Sequence, residues 1–295
     1  MRPPDPAPVT VRTLLCHRDV DLMIACWRTL VACSADPIAT VVHDDGSLTA
    51  DDEAAILVAI PQCRLLRRRE ADARMAERLA RHPHARAFRA GSVWGLKLLD
   101  VVLAEPGDCY YVDGDVRCFQ PFRGLFCREA LAGRSVFLRD TVWAAYSVRP
   151  WHLWDRRRLR VSAAINTGLT LIDRECFDLD FVDWFLAQPD WRVIPAWTEP
   201  TCWAALAART DGHTVDPAQL PNLYPSARIS PATVGAHFLS AYRNGFHAGL
   251  TAPARLDGPP VPVRFQPLGA LGPLGLGLNQ LKRKLGNEWK RRTRP

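Results

Sequence analysis

The 295-residue sequence has no cysteine pair at C-x-x-C spacing, no long apolar run and almost no lysine before its last 14 residues. Its nine scattered cysteines lack metal-ligand spacing, so we interpret them as reduced, mostly buried thiols. No apolar stretch reaches the roughly 18–20 residues that a transmembrane helix needs. The proline-rich start, residues 1–10, lacks the apolar core of a signal peptide, so we expect no export and a cytoplasmic location.

Positive charge is concentrated at one end of the chain. The net charge is +7, and from Asn279 onward seven lysines and arginines stand against one glutamate. The rest of the chain is therefore close to neutral. A nucleic-acid-binding protein would carry a basic body, so we expect no nucleic-acid partner.

Strand and helix patterns alternate along the first 112 residues, in a chain that is 48% hydrophobic and 23% charged. Strands are predicted at 10–16, 39–42, 63–66 and 109–112, and helices at 21–33, 50–60 and 93–103. We expect further strands at 135–138 and 163–172 and further helices at 181–188 and 199–208. This order predicts an α/β fold, a Rossmann-type, mainly parallel sheet flanked by helices.

The chain divides into three predicted parts. Residues 1–249 form the α/β domain, and residues 250–277, rich in proline and glycine, are predicted to be a linker. Residues 278–295 form a basic tail.

The tail region has one apolar stripe at helical spacing. A basic amphipathic helix of this kind suits an anionic membrane surface, which would place the protein on the inner face of the membrane. The alternative is a terminal helix packed on the body or on a second subunit. The stripe consists of Leu274, Leu278, Leu281, Leu285 and Trp289.

Two carboxylates, Asp113 and Asp115, flank Gly114 directly after the apolar strand 109–112. Ligands in open α/β sheets bind beyond the carboxyl ends of the strands, and paired carboxylates suit a hard divalent cation. The alternative is ordinary turn chemistry. An aspartyl-phosphatase signature is disfavoured because Arg117 stands where that motif has Thr or Val.

Three segments, 41–47, 110–119 and 166–173, together resemble the GT-A glycosyltransferases, and those of family 8 in particular. The resemblance spans about residues 11–246. It implies a GT-A-like fold and a hexosyltransferase that moves a sugar from a nucleotide-sugar, by expectation a UDP-sugar, to a glycan or lipid-linked acceptor. It also implies Mn²⁺ or Mg²⁺ as cofactor and a place in the biosynthesis of envelope glycans.

The resemblance assigns roles to single residues. Asp113 and Asp115 would hold the metal, with Asp113 also contacting the donor, and the donor would be bound by Asp44, Asp45, Lys97, Asn166 and Gly168. Asp140 would reach the sugar hydroxyls as a catalytic residue. Lys97 could instead be an exposed helix cation, and Asp140 could cap a helix from residue 141.

Two further residues match the family only in part. Glu199 takes the acidic position of an acidic-Gln pair, as a catalytic residue, but the Gln is absent, and Glu199 could merely favour a helix dipole beside Pro200. His237 would be the third metal ligand, or else a neutral, hydrogen-bonded histidine. The lysine-containing end of that family motif is replaced by residues 242–244, so anomeric retention stays open.

Two other functions are compatible with the sequence. A sugar nucleotidyltransferase has the same fold but opens with a glycine-rich basic signature that residues 14–18 lack. A non-catalytic, nucleotide-binding relative is the other alternative. Trp143, Trp151 and Trp154 could stack on an acceptor sugar, although we interpret them as core residues.

Overall fold

The structure is a computed structural model that describes residues 7–131, 133–140, 146–154, 159–188, 194–223, 229–239, 243 and 255–293. Side chains beyond residue 285 and that of residue 130 lie outside the described part.

The strands are β1 (Val9–Leu15), β2 (Ile38–Asp44), β3 (Cys63–Leu66), β4 (Cys109–Val112), β5 (Val116–Cys118), β6 (Phe122–Arg123), β7 (Arg134–Arg139), β8 (Val161–Ser162), β9 (Ile165–Ile172), β10 (Asp211–Val215), β11 (Gly235–His237), β12 (Val261–Pro262), β13 (Phe265–Pro267) and β14 (Ala270–Leu271). The helices are α1 (Val20–Cys33), α2 (Ala50–Ala59), α3 (Arg68–Arg78), α4 (Pro83–Gly91), α5 (Val93–Leu103), α6 (Arg128–Leu131), α7 (Leu179–Ala187), α8 (Pro195–Ala207) and α9 (Pro273–Thr293). Three short 3-10 helices are η1 (His17–Asp19), η2 (Pro150–Leu153) and η3 (Arg174–Cys176).

Within the described ranges, eight strands form one sheet in the order β13-β10-β7-β9-β4-β1-β2-β3. Strands β9 and β13 run against the others, which are parallel. Two clusters of buried apolar side chains cover the sheet. The predicted mainly parallel sheet flanked by helices is confirmed.

Local sequence signals fix the elements of the first half. Thr49 caps α2 in a capping box in which Asp52 returns the bond, and Ser92 accepts a hydrogen bond from Trp94 at the start of α5. Strands β3 and β4 and helix α5 have the predicted bounds. Because β1 pairs in parallel with both β2 and β4, the carboxyl ends of these three strands lie together at one edge of the sheet.

The structure differs from the linker predicted at residues 250–277. Its described part, 255–277, contains β12, β13 and β14, and β13 pairs with β10 at the edge of the main sheet. Prolines are tolerated on edge strands because one side of such a strand needs no ladder hydrogen bond. The helix at the end of the chain also begins earlier, at Pro273.

Helix α8 begins at Pro195, four residues before the predicted start at Glu199, and Pro200 lies inside it. The sequence offers two prolines suited to a first helical position, and the earlier one takes it. Glu199 is therefore buried within the helix instead of facing its amino end.

Two of the three tryptophans interpreted as core residues are exposed. Trp151 in η2 is 61% exposed and Trp154, directly after it, is 76% exposed. Trp143 lies outside the described residues. No helix among the described residues combines the length and apolarity needed to cross a membrane.

Candidate functional site

The two carboxylates stand where β4 ends and β5 begins. The Asp113 N–H donates to the carbonyl of Gly168 on β9 at 2.8 Å, and the Val116 N–H donates to the carbonyl of Asp113 at 3.2 Å. A Cβ on Gly114 would come within 3.2 Å of Met23, so glycine keeps this turn close to α1. The neighbouring strand and helix thus fix the backbone that presents both side chains.

His237 reaches the same point through a second strand pair. Strand β11 runs antiparallel to β5 and sets His237 opposite Val116, and the Phe238 N–H donates to the Asp115 carbonyl at 2.9 Å. The imidazole Nε2 lies 3.1 Å from Asp115 Oδ1 and 3.6 Å from Asp113 Oδ2. The three ligand atoms lie within 4.8 Å of one another.

The hydrogen bonds around His237 fit a metal ligand. Its Nδ1 lies 3.1 Å from the side-chain oxygen of Asn222, an acceptor, so Nδ1 carries a proton, and in the neutral imidazole Nε2 keeps its lone pair for a metal. Asp115 Oδ1 is buried and has no hydrogen-bond donor among the described residues. A proton on Nε2 or a bound cation can bridge the two atoms at this distance. Carboxylate and imidazole ligands suit a divalent ion such as Mn²⁺.

Two cationic side chains and one hydroxyl of the chain itself contact the carboxylate oxygens of Asp113 and Asp115. Lys97 Nζ donates to Asp113 Oδ2 at 2.7 Å, and the Tyr111 hydroxyl donates to Asp113 Oδ1. Arg243 donates through Nε to Asp115 Oδ2 and through Nη1 to Asp19 Oδ2, each at 2.9 Å.

These contacts set the protonation states at the site. Burial would raise the pKa of Asp115, but His237 and Arg243 lower it overall. Burial would likewise lower the pKa of Lys97, but Asp113 and Glu199 raise it. Lys97 is buried rather than exposed on its helix, and it forms an ion pair with Asp113.

Two cavities meet at the carboxylate pair. The larger has a volume of about 850 Å³ and extends toward the ends of β1 and β2, where Cys16, His17 and Asp45 line it. The smaller, about 440 Å³, lies on the side of β9 and α8. The walls that they share include Trp94, Lys97, Asp113, Asp115 and Arg243. A ligand with two parts can therefore extend from one cavity to the other across the carboxylates.

Asp44, the last residue of β2, and Asp45, which follows it, have different surroundings. Asp44 Oδ1 accepts the backbone N–H groups of Gly46 and Leu48 at 2.7 and 3.2 Å, so it holds the loop. Asp45 Oδ1 accepts from the N–H and hydroxyl of Ser47, but this side chain also lines the larger cavity.

The predicted sugar-side residues line the smaller cavity. They are Asp140, Asn166, Gly168 and Glu199. The Asp140 N–H donates to the carbonyl of Ala164, and the helix from residue 141 that Asp140 could cap lies outside the described residues. The Gly168 N–H donates to Asn166 Oδ1 at 2.9 Å, and a Cβ on Gly168 would overlap the imidazole of His237.

Glu199 is the most deeply buried acid of the smaller cavity. Its Oε2 accepts the Thr167 hydroxyl at 3.1 Å, and Oε1 has no hydrogen-bond partner in the described part of the chain. Burial raises its pKa to about 7, although Lys97 opposes the rise. A carboxyl group with this pKa can carry a proton at neutral pH.

Sequence reasoning missed several residues of the site. Arg243 was treated only as a departure from the family motif, although it stands six residues after His237, the spacing of the motif's lysine. Asn222 and Asp19 gave no signal, because they join the site through long-range contacts with His237 and Arg243. Tyr111 lies only two residues before Asp113, but in the sequence it is one residue of an apolar strand.

Comparison with known proteins identifies the fold. No family model and no curated protein matches the sequence. Among solved structures, mouse xyloside xylosyltransferase 1 in its apo form superposes with a TM-score of 0.51 at 13% identity, over 80% of this chain and 99% of that one. The chain has the GT-A glycosyltransferase fold.

Two further structures with this fold are less similar. Galactosyltransferase LgtC, in complex with donor and acceptor sugar analogues, has a TM-score of 0.47 at 12% identity, over 79% of this chain and 87% of that one. The mannosyltransferase Ktr4p of S. cerevisiae, in complex with GDP, has a TM-score of 0.48 at 8% identity, over 68% and 66%. Both scores lie below 0.5, so the fold assignment is based on the xylosyltransferase.

Proposed function

We propose that this chain transfers a sugar from a nucleotide-sugar to an acceptor, with a divalent metal held by Asp113, Asp115 and His237. The observation that carries the proposal is the cluster of Asp113, Asp115 and His237, whose ligand atoms lie within 4.8 Å of one another where the two cavities join. A GT-A sheet with a metal-capable cluster at this edge supports glycosyl transfer better than a purely structural role for the cluster.

The metal would be Mn²⁺ or Mg²⁺, and when bound it supplies positive charge that stabilises the diphosphate leaving group. The chain adds its own cations at the same place. Lys97 and Arg243 form ion pairs with Asp113 Oδ2 and Asp115 Oδ2, and both line the two cavities. We assign them to the diphosphate, with the planar Arg243 guanidinium suited to two phosphate oxygens at once.

The larger cavity is the proposed nucleoside site. Asp45 lines it and can accept hydrogen bonds from a ribose or a base, whereas the backbone contacts of Asp44 assign that residue to loop structure. A UDP-sugar is the donor proposed here, on the sequence resemblance.

The smaller cavity is the proposed site of the sugar and the acceptor. Asp140 and Asn166 offer polar groups to sugar hydroxyls, and Gly168 leaves room for the imidazole of His237. Glu199, with its raised pKa, is the proposed residue that holds or moves a proton there. The acceptor class proposed is a glycan or a lipid-linked envelope precursor, handled at the cytoplasmic face of the membrane.

Calorimetry tests the central claim. The purified chain is titrated with UDP, GDP, their hexose conjugates and nucleoside triphosphates, with and without Mn²⁺. We expect Mn²⁺-dependent binding of a nucleoside diphosphate that disappears in the Asp113→Ala/Asp115→Ala double variant. Asp257→Ala, at an exposed turn, is the control and should bind as the unmodified chain does.

Other outcomes favour other functions. Metal-dependent binding of nucleoside triphosphates alone would replace the proposal with a nucleotidyltransferase. Metal-dependent diphosphate binding with no sugar release from any conjugate, even with acceptor mixtures, would indicate a non-catalytic relative.

A further inference from the structure

Helix α9 contacts the protein with one of its faces. Leu276 is fully buried, and the side-chain amide of Gln280 donates to the carbonyl of Val148 at 2.7 Å. The Arg283 guanidinium lies 4.0 Å from the ring centre of Trp197 on α8. The helix is therefore anchored, and its orientation about its own axis is fixed.

Four leucines of α9 are exposed on the opposite face. A helix turns about 100° per residue, so the exposed leucines lie roughly half a turn away from Leu276 and Arg283. Leu274 is 86% exposed, and the other three are more than half exposed. The four are Leu274, Leu278, Leu281 and Leu285. The four leucines of the predicted stripe share one face, which points away from the body, and the side chain of Trp289 lies outside the described part.

The element beneath α9 adds aromatic surface. Helix α9 packs on η2, with Gly277 against Pro150. Trp151 and Trp154, both strongly exposed, belong to η2 and its end. Indole rings on a protein surface favour the boundary between lipid headgroups and acyl chains.

The charge around the stripe is positive. Lys282 and Lys284 are exposed on α9, and Arg149 and Arg160 are exposed at the two ends of the segment that contains η2. The last 17 residues carry a net charge of +6. A second copy of the chain would bring an equally basic helix to the stripe and repel it, whereas an anionic surface attracts it.

We propose that the leucine face of α9, with Trp151 and Trp154 beside it, lies in the headgroup region of an anionic bilayer. No described helix can cross the membrane, so the helix lies along its surface with the lysines toward the phosphates. The face is an interaction surface that is held ready by the packing of α9 on η2 and α8. This inference is independent of sugar transfer, because its test uses no activity.

Vesicle co-sedimentation of the full chain tests it. The vesicles are phosphatidylcholine alone or phosphatidylcholine mixed with phosphatidylglycerol. We expect binding to the mixed vesicles only, weakened by high salt, and a fall of about tenfold or more in the Leu278→Glu/Leu281→Glu variant. Val58→Glu on α2 replaces a still more exposed apolar residue away from α9 and should bind normally.

The controls separate folding and self-association from lipid binding. Thermal unfolding should be the same for both variants, since each changes only exposed side chains. Normal vesicle binding by the leucine variant, or equal binding to neutral vesicles, would overturn the proposal. So would a dimer in sedimentation equilibrium that the leucine variant abolishes, without vesicle binding, because the stripe would then cover a second copy.

Discussion

Two acidic pairs, Asp44–Asp45 and Asp113–Asp115, follow strands of the same sheet at the same edge, yet their oxygens are satisfied in different ways. The first pair accepts backbone N–H groups and one hydroxyl from its own loop. The second pair faces a lysine, an arginine and a histidine that come from distant elements. The partners of the carboxylates, not their spacing, therefore distinguish the pair that holds its loop from the pair at the proposed metal site.

The two acidic pairs should differ most in their effect on metal affinity. Asp115→Asn should lower the affinity for Mn²⁺ by about 100-fold or more, since it removes a buried charged ligand. Asp45→Asn should change the affinity by less than about threefold, because Asp45 faces the nucleoside side of the site. Titration of Mn²⁺ followed by electron paramagnetic resonance measures both. Equal losses would mean that the two pairs do not differ as the contacts indicate.

Glu199 gives a test by pH, because it is a third carboxyl group, whose Oε1 has no hydrogen-bond partner among the described residues. Burial raises its folded-state pKa to about 7, so the native state binds this proton more tightly than the unfolded state. The associated stability is fully present below the unfolded pKa and is lost as pH rises to about 7, by about 3 kcal/mol in total.

Urea unfolding of the unmodified chain and of Glu199→Gln, from below the unfolded pKa of glutamate, about 4.3, to above pH 7, measures this loss of stability. The variant should lose this part of the pH dependence and be the more stable protein above neutral pH. Glu77→Gln, at an exposed position on α3, serves as the control and should keep the pH profile of the unmodified chain. An unchanged profile in Glu199→Gln would contradict the raised pKa.

The smallest expected effect concerns His237, the proposed third ligand beside Asp113 and Asp115. In Gly168→Ala the new Cβ would overlap the His237 ring, and overpacking of this kind costs about 2 kcal/mol. Mn²⁺ affinity should fall with the stability because the imidazole must move. Gly91→Ala, with open space around it, should change the free energy of unfolding by less than about 0.5 kcal/mol. A tolerated Gly168→Ala would show that His237 can leave the carboxylates without cost.

The sequence predicts best what local chemistry decides. Thr49 and Ser92 mark helix starts by capping, and the apolar run 109–112 marks a buried strand, so the sheet of the first half and the position of Asp113 could be predicted. The strands within 250–277 could not, since β13 gains its structure by pairing with β10 rather than from its own residues.

The same difference holds within the candidate site. Asp113 and Asp115 follow a strand that can be recognised from its residues, whereas Arg243 and Asn222 come to the site through the β5–β11 pair and an isolated bridge to His237. The orientation of α9 was also beyond reach, because a helical stripe in a sequence does not show which side meets the body.

The pairing of β11 with β5 has a consequence for the order of folding. Asp115 and His237 are 122 residues apart in sequence, so the contact between them is among the long-range contacts that form only after a large loop is closed. A growing chain that has made the sheet through β4 already holds both carboxylates but lacks their third ligand. At the proposed metal site, high-affinity binding would then arise only when the chain has been synthesised through His237.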